Sequence, residues 1–311
     1  MRSINKETSG LPCSLSIALF LVGGELLSVG RESVSEAYSS GIAFAVALLF
    51  VGAAASAARA VFGDRASGSS KRIFTAILAI LAAAASIYVA IDSVLEFSEF
   101  VSDVMLLRAP RYLVMLIFLV FCVFLASRGV GTVRKYAFLS AVAVLIGAIA
   151  LILLSLPSID TRAIELGGGT PNTRSVAEAF VKKFAPLCIP LVYLSCGQDS
   201  KIGEKNSTRL SPLAACIGVL IGGAILTLCH FNVTLLLGSA LAREQSFPYS
   251  AAMSAVSAGK LFMRMEGISY VLYFLASTLR TSIAVGTVGS LSTRFLKIRG
   301  RRASSEAEIA E

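Results

Sequence analysis

The chain has 311 residues, 56% of them hydrophobic and only 15% charged, with a net charge of +9 and a mean hydropathy of +0.79. No soluble domain of this size needs so many unbroken apolar runs, so a soluble enzyme or binding module is excluded and one polytopic membrane domain over 1–311 is expected. Aromatic residues are not interleaved with the basic ones, which excludes nucleic acid as the reason for the positive charge.

Eight apolar stretches are candidate spans, at about 11–30, 39–58, 73–92, 112–127, 136–157, 184–197, 211–238 and 267–293. A full crossing takes about 20 residues, so the short fourth and sixth are expected to extend into polar flanks or to be broken helices. The first has a basic start, and Ser28-Val29-Gly30 resembles a signal-peptide cleavage site. Glu25 inside its apolar region argues for a retained span. Gly23-Gly24 directly precedes that Glu25.

The 59–72 connector is Gly/Ser-rich with basic ends. Residues 92–107 read as an amphipathic extension of the third span. Asp92, Glu96, Glu99 and Asp103 share one face, opposed by Val94, Phe97, Val101 and Val104. This acidic ridge is expected outside the membrane, as a solvated helix face or a cation-attracting vestibule. The 158–183 segment carries a glycine-rich turn at 167–172 that lacks the Lys-Ser/Thr of a phosphate loop. The sixth span contains Pro186 and Pro190, each expected to disrupt the helix. Gly218 and Gly222 form a helix-packing surface, and 239–266 reads as an interfacial or re-entrant helix.

Lysine and arginine in the loops divide 17 against 10 between the two sides, with Arg280 left inside the last span. By the positive-inside rule both termini are expected to be cytoplasmic. The six cysteines are scattered, nearly all within spans and without a C-x-x-C pair, and serve as small apolar residues. Ser269 follows a Gly-x-Ser-like start, and His230 is the one histidine. Their depths in different spans disagree, so a Ser–His dyad is not expected. With no paired carboxylates, metal-ligand spacing or nucleotide loop, no enzymatic activity, cofactor or metal is expected.

Glycine and proline interruptions in the first and sixth spans, five spans apart, are the sequence pointer to a midplane binding site in inverted-repeat transporters. Gly23, Gly24, Pro186 and Pro190 are therefore candidate ligand-binding positions. Only Glu25 and Arg280 carry full charge deep inside the apolar stretches. A charge at bilayer depth costs about 2.5–3.5 kcal/mol on the insertion scale, so both are functional candidates too.

From about 95 to 295 the chain resembles the B subunits of spore nutrient-germinant receptors. These germination permeases belong to the amino acid–polyamine–organocation transporter superfamily. The matching stretches are Leu95-Glu96-Phe97-Ser98-Glu99-Phe100 leading to Pro110, Ala126-Ser127-Arg128-Gly129-Val130, Leu156-Pro157-Ser158-Ile159-Asp160, Phe247-Pro248-Tyr249 and Arg264-Met265-Glu266, with Val22-Gly23-Gly24 as the break in the first helix. The resemblance implies an all-α, inverted-repeat helical bundle. It also implies binding of a small nutrient such as an amino acid, partnership with A- and C-type receptor subunits, and residence in the spore inner membrane. Family members have ten spans against the eight here, and Arg280 stands where the family has Lys. In the implied fold the first and eighth spans are neighbours where related transporters hold a coupling cation. Arg280 would fill that place as a fixed charge with Glu25 as counter-ion; alternatively, each charge snorkels or faces water independently. A stand-alone amino-acid or cation permease and a structural subunit without ligand are the other readings.

Overall fold

The computed structural model describes residues 11–26, 28–29, 34–62, 69–106, 109–156, 173–196, 211–256 and 266–310. Among them the chain forms nine α-helices: α1 Leu11–Glu25, α2 Val34–Phe62, α3 Ser69–Phe100, α4 Arg111–Ser127, α5 Val130–Ser155, α6 Thr173–Cys196, α7 Pro212–Glu244, α8 Pro248–Ala255 and α9 Glu266–Ala310. A helix satisfies its backbone groups internally, which lipid requires of any spanning segment. The glycine-rich turn at 167–172 and the segment 257–265 lie outside the described residues, as does Gly30 of the cleavage-like tripeptide.

Among the described residues, four segments are long and apolar enough to cross a bilayer: Thr75–Met105, Val130–Ser155, Pro212–Gly238 and Glu266–Thr293. Shorter apolar helical segments run over Leu11–Glu25, Phe44–Ala58, Arg111–Ser127 and Pro186–Cys196. The element boundaries follow local chemistry. Pro110 caps α4, and Pro212 opens α7 where its missing N–H costs nothing. Gly129, at φ 89°, reverses the chain before α5, and Gly238, at φ 75°, kinks α7. Side-chain-bearing residues rarely adopt that conformation.

The core is built around α9, which packs on α1, α3, α4, α5, α6 and α8. A second layer pairs α2 with α6 and α7, and α1 with α7. Small residues let the helices approach. A Cβ built at Gly218 would lie 2.5 Å from the Ser14 carbonyl oxygen, and one at Gly222 would lie 2.9 Å from that of Ala18. The expected packing surface of α7 is thus the seat of α1. Large apolar side chains such as Ile80, Leu116, Ile146 and Leu153 point outward, as expected where the surroundings are lipid and helix association relies on close packing and polar contacts. One such contact is Asn232 Nδ2 donating to Ser155 Oγ at 2.8 Å, which ties α7 to α5.

Two expectations need correction. The prolines of the sixth span do not break it: α6 is continuous from Thr173 to Cys196 with Pro186 and Pro190 inside. Each ring removes one amide donor and frees a carbonyl one turn earlier without ending the helix. In the first span the helix runs through both glycines, ends at Glu25 and closes with Leu26 N–H donating to Val22 O at 3.0 Å. The expected amphipathic extension of the third span, by contrast, is present, and it differs only in ending on a π turn. The third span continues as regular helix to Phe100 and as one π-helical turn over Val101–Met105, with Val94, Phe97, Phe100 and Val101 buried. A hydropathy reading ends this span at Asp92, because it averages over both faces of a helix whose apolar face persists.

Candidate functional site

The middle of α9 reads Ser277-Thr278-Leu279-Arg280-Thr281-Ser282, and every one of these residues is buried, Arg280 to 7% exposure. Inside an apolar bundle such a polar run needs partners. Arg280 finds three kinds of contact. Its guanidinium lies 5.9 Å over the Phe20 ring of α1, a cation–π arrangement. One nitrogen is 3.8 Å from Asp92 Oδ2 on α3. A Cβ placed at Gly24 of α1 would strike it, 2.6 Å from Cζ. Nε and the other terminal nitrogen, NH1, make no hydrogen bond.

Gly23 serves a different purpose. Its Cβ would collide with the backbone of α9, against the Ala276 carbonyl and 3.1 Å from Ser277 N. The two glycines are therefore not equivalent. At Gly23 two backbones touch, and at Gly24 a backbone touches a movable side chain. Gly23→Ala is expected to destabilise the fold by about 1–3 kcal/mol, since neither helix backbone can yield. Gly24→Ala is expected to leave the fold in place while shifting the guanidinium. Thermal unfolding of the two purified variants checks the contrast.

Beyond Asp92, Glu96 occupies the next turn of α3. Glu25, Asp92, Glu99 and Arg280 are all within its electrostatic reach. Farther along, Arg111 of α4 donates to both carboxylate oxygens of Asp103 at 2.9 and 3.1 Å and approaches Glu99 at 3.7 Å. The four acids thus divide: Asp92 and Glu96 belong to the Arg280 cluster, while Glu99 and Asp103 belong to a half-exposed ion-pair network that clamps the π turn to α4. An aromatic collar adjoins both. Phe97 stacks on Phe118 at 4.0 Å, and the fully buried Phe100 meets Phe247, Tyr270 and Tyr273 edge-on at 5.2–5.3 Å. The α4–α9 contact is closed by Ser282 Oγ donating to the Cys122 carbonyl at 3.3 Å.

Of the residues expected from sequence, Gly23, Gly24 and Arg280 come together directly, with Glu25 next in the chain. Asp92, from the acidic ridge of α3, also brings a carboxylate to Arg280. Pro190 is buried and Pro186 partly buried in α6, a helix that packs on α1, α3 and α9. Phe20 and Tyr273 are residues of this cluster that the sequence does not single out, and Asp92 and Glu96 stand out there only as part of the acidic ridge. Their signal was present in part: Asp92 and Glu96 are four residues apart, on one face, at the edge of an apolar stretch. Ser269 donates to the Glu266 carbonyl of its own turn at 2.6 Å, so its hydroxyl is engaged within α9.

Among known proteins, no family model matches this chain, and no curated protein matches it. Among solved structures it is similar to Mhp1, a nucleobase-cation-symport-1 family transporter, in a closed conformation with bromovinylhydantoin bound. The TM-score is 0.55 at 17% identity, over 92% of this chain and 66% of that one. The chain therefore spans less than two thirds of the length of that transporter. At this identity the likeness is one of fold: the protein is an all-α, polytopic integral membrane protein with a transporter-like arrangement of helices.

Proposed function

We propose that this protein is a ligand-sensing membrane subunit of the spore germinant-receptor type. In this reading it binds a small nutrient such as an amino acid where α1, α6 and α9 meet, and signals germination together with A- and C-type partner subunits in the spore inner membrane. The observation that carries the reading is the contact of Gly24 with the buried Arg280 guanidinium, two of whose nitrogens make no hydrogen bond. At that point the C-terminal end of α1 meets a fixed positive charge in a transporter-like bundle. Transporter folds place small-ligand sites at such helix ends. Carbonyls freed by Pro186 and Pro190 in α6 add acceptors from a helix that packs on both α1 and α9. The sequence resemblance supplies the sensing role.

A side chain at position 24 that displaces Arg280 should uncouple sensing from folding. Gly24→Leu is expected to abolish germination across a nutrient panel while the protein still reaches the membrane at normal levels. An unchanged dose–response in that variant overturns the assignment of the site. Deletion of the gene in a sporulating host, followed by the same panel, tests the role itself. If germination is intact but uptake of a labelled nutrient is lost, the stand-alone permease is the better description.

A further inference from the structure

We infer that the Arg280 guanidinium and the Asp92 carboxylate together form the head-group site for a small zwitterion, Arg280 taking the ligand's carboxylate and Asp92 its ammonium. The inference rests on the sensing site proposed above and names the chemical class that it selects: α-amino acids over neutral or singly charged analogues. Arginine carries its N–H donors in a planar fork and has no acceptor. In Arg280 one terminal nitrogen lies 3.8 Å from Asp92 Oδ2, beyond hydrogen-bond distance, and Nε and NH1 are buried without a hydrogen bond. Each buried donor left unmade costs about 1–3 kcal/mol, and more on a charged group. An acceptor brought by a ligand recovers that loss.

The acceptor that fits a guanidinium is a carboxylate. The terminal nitrogen facing Asp92 is shared by both edges of the fork, so each edge holds one donor without a partner. A carboxylate docks on such an edge through two parallel hydrogen bonds. A neutral carbonyl offers a single oxygen and no charge to a buried cation. Further donors stand on the same face of α9. Ser277 and Tyr273 precede Arg280 by one and two turns, and their hydroxyls are also buried without a hydrogen bond. On the α1 side, Gly24 leaves the guanidinium free of any side chain.

Asp92 decides the other half of the ligand. Its carboxylate attracts the guanidinium without being hydrogen-bonded to it, and its side chain is 52% exposed. A simple carboxylate would bring a second anion beside Asp92, a like-charge contact that opposes binding. A zwitterion carries its ammonium on the adjoining carbon, where it answers Asp92 while the carboxylate answers Arg280. One loose internal pair is thereby exchanged for two charge-assisted contacts. The exposed flank of Asp92 is the side from which the head group enters.

The test is thermal unfolding of the full-length protein in lipid nanodiscs, titrated with the proteinogenic amino acids singly. Each one that stabilises the protein is then compared with its carboxamide and with the acid lacking the amine. The expected result is stabilisation by at least one amino acid, lost in the carboxamide and weakened in the amine-free acid. Arg280→Lys keeps the charge but not the fork, and is expected to weaken the amino acid by about 10- to 100-fold. Gly24→Ala, which shifts the guanidinium while the fold stays in place, is expected to weaken amino acid and amine-free acid alike. Asp92→Asn is expected to remove the preference for the amino acid over the amine-free acid, which a purely structural ion pair would not do. The proposal is overturned by the absence of stabilisation by any amino acid, by equal stabilisation from the carboxamide, or by a preference that survives Asp92→Asn. The sensing role is judged separately. If Gly24→Leu abolishes the nutrient response but no amino acid stabilises the protein, the head-group assignment falls and the sensing site stands. If binding follows this pattern but germination is indifferent to loss of the gene, the head-group site stands and the sensing role falls.

Discussion

Asp92→Asn is expected to destabilise the protein more than any other single charge substitution outside Arg280 itself. It removes the carboxylate 3.8 Å from a guanidinium that is only 7% exposed. Breaking one partner out of a buried pair costs about 3–5 kcal/mol, because an uncompensated charge stays behind. The loss here is expected below that range, at about 1–3 kcal/mol, since the Asp92 side chain is 52% exposed and water screens the pair. Arg280→Gln is expected to lose a comparable amount, adding the Phe20 contact. The double variant is expected to recover much of the loss, giving an interaction energy of roughly 0.5–3 kcal/mol. The measurement is a double-mutant cycle on thermal stability of the purified protein and on its level in the membrane. Strict additivity would show that Asp92 and Arg280 do not act as a pair. The same cycle with Glu25→Gln tests the pairing of Glu25 with Arg280 expected from the sequence.

The second large effect is expected at the seat of α1. Gly218→Leu and Gly222→Leu insert side chains where even a Cβ meets the Ser14 and Ala18 carbonyl oxygens, at 2.5 and 2.9 Å. Backbone stands on both sides, so the clash cannot be relieved by a rotamer change. Overpacking typically costs about 1–3 kcal/mol per site, and with both replaced α1 should lose its place on α7. Because α1 carries Phe20, Gly23 and Gly24, that displacement would dismantle the Arg280 site as well. The double variant is expected to yield little folded protein. Gly289→Leu, at a glycine with no atom within 4 Å of its Cβ position, is expected to be tolerated. Detergent-resistant monodisperse protein on size exclusion distinguishes the outcomes. A double variant that purifies like the parent would remove the close approach of α1 and α7 from the account of the fold.

These expectations rest on unequal contributions from sequence and structure. Membrane class, helical content and the approximate positions of the eight apolar segments were legible directly, because a bilayer demands internally satisfied backbone and about 20 apolar residues per crossing. Arg280 and the Gly23–Gly24 pair were legible as features for the same reason: a charge or a pair of glycines stands out against a uniform apolar background. The role of Gly218 and Gly222 also followed from small-residue spacing.

What sequence could not determine is which groups meet. A hydropathy window averages around the helix, so it ends the apolar stretch at Asp92, while the period of Val94, Phe97 and Val101 carries the helix on with that face buried. Proline chemistry marks a lost hydrogen bond but not whether the helix ends there, and α6 continues through both. Chain order and depth point to Glu25 as a partner of Arg280, and both lie within electrostatic reach of Glu96. Only the packing of α3 and α1 on α9 put Asp92 on the guanidinium and Gly24 beneath it. The sequence alone determined that a positive charge lies in the middle of the last span, because its cost in lipid is local to the residue. Which carboxylate answers it was decided by tertiary structure, because pairing depends on the rotation and crossing of helices whose contacting residues are nearly two hundred positions apart.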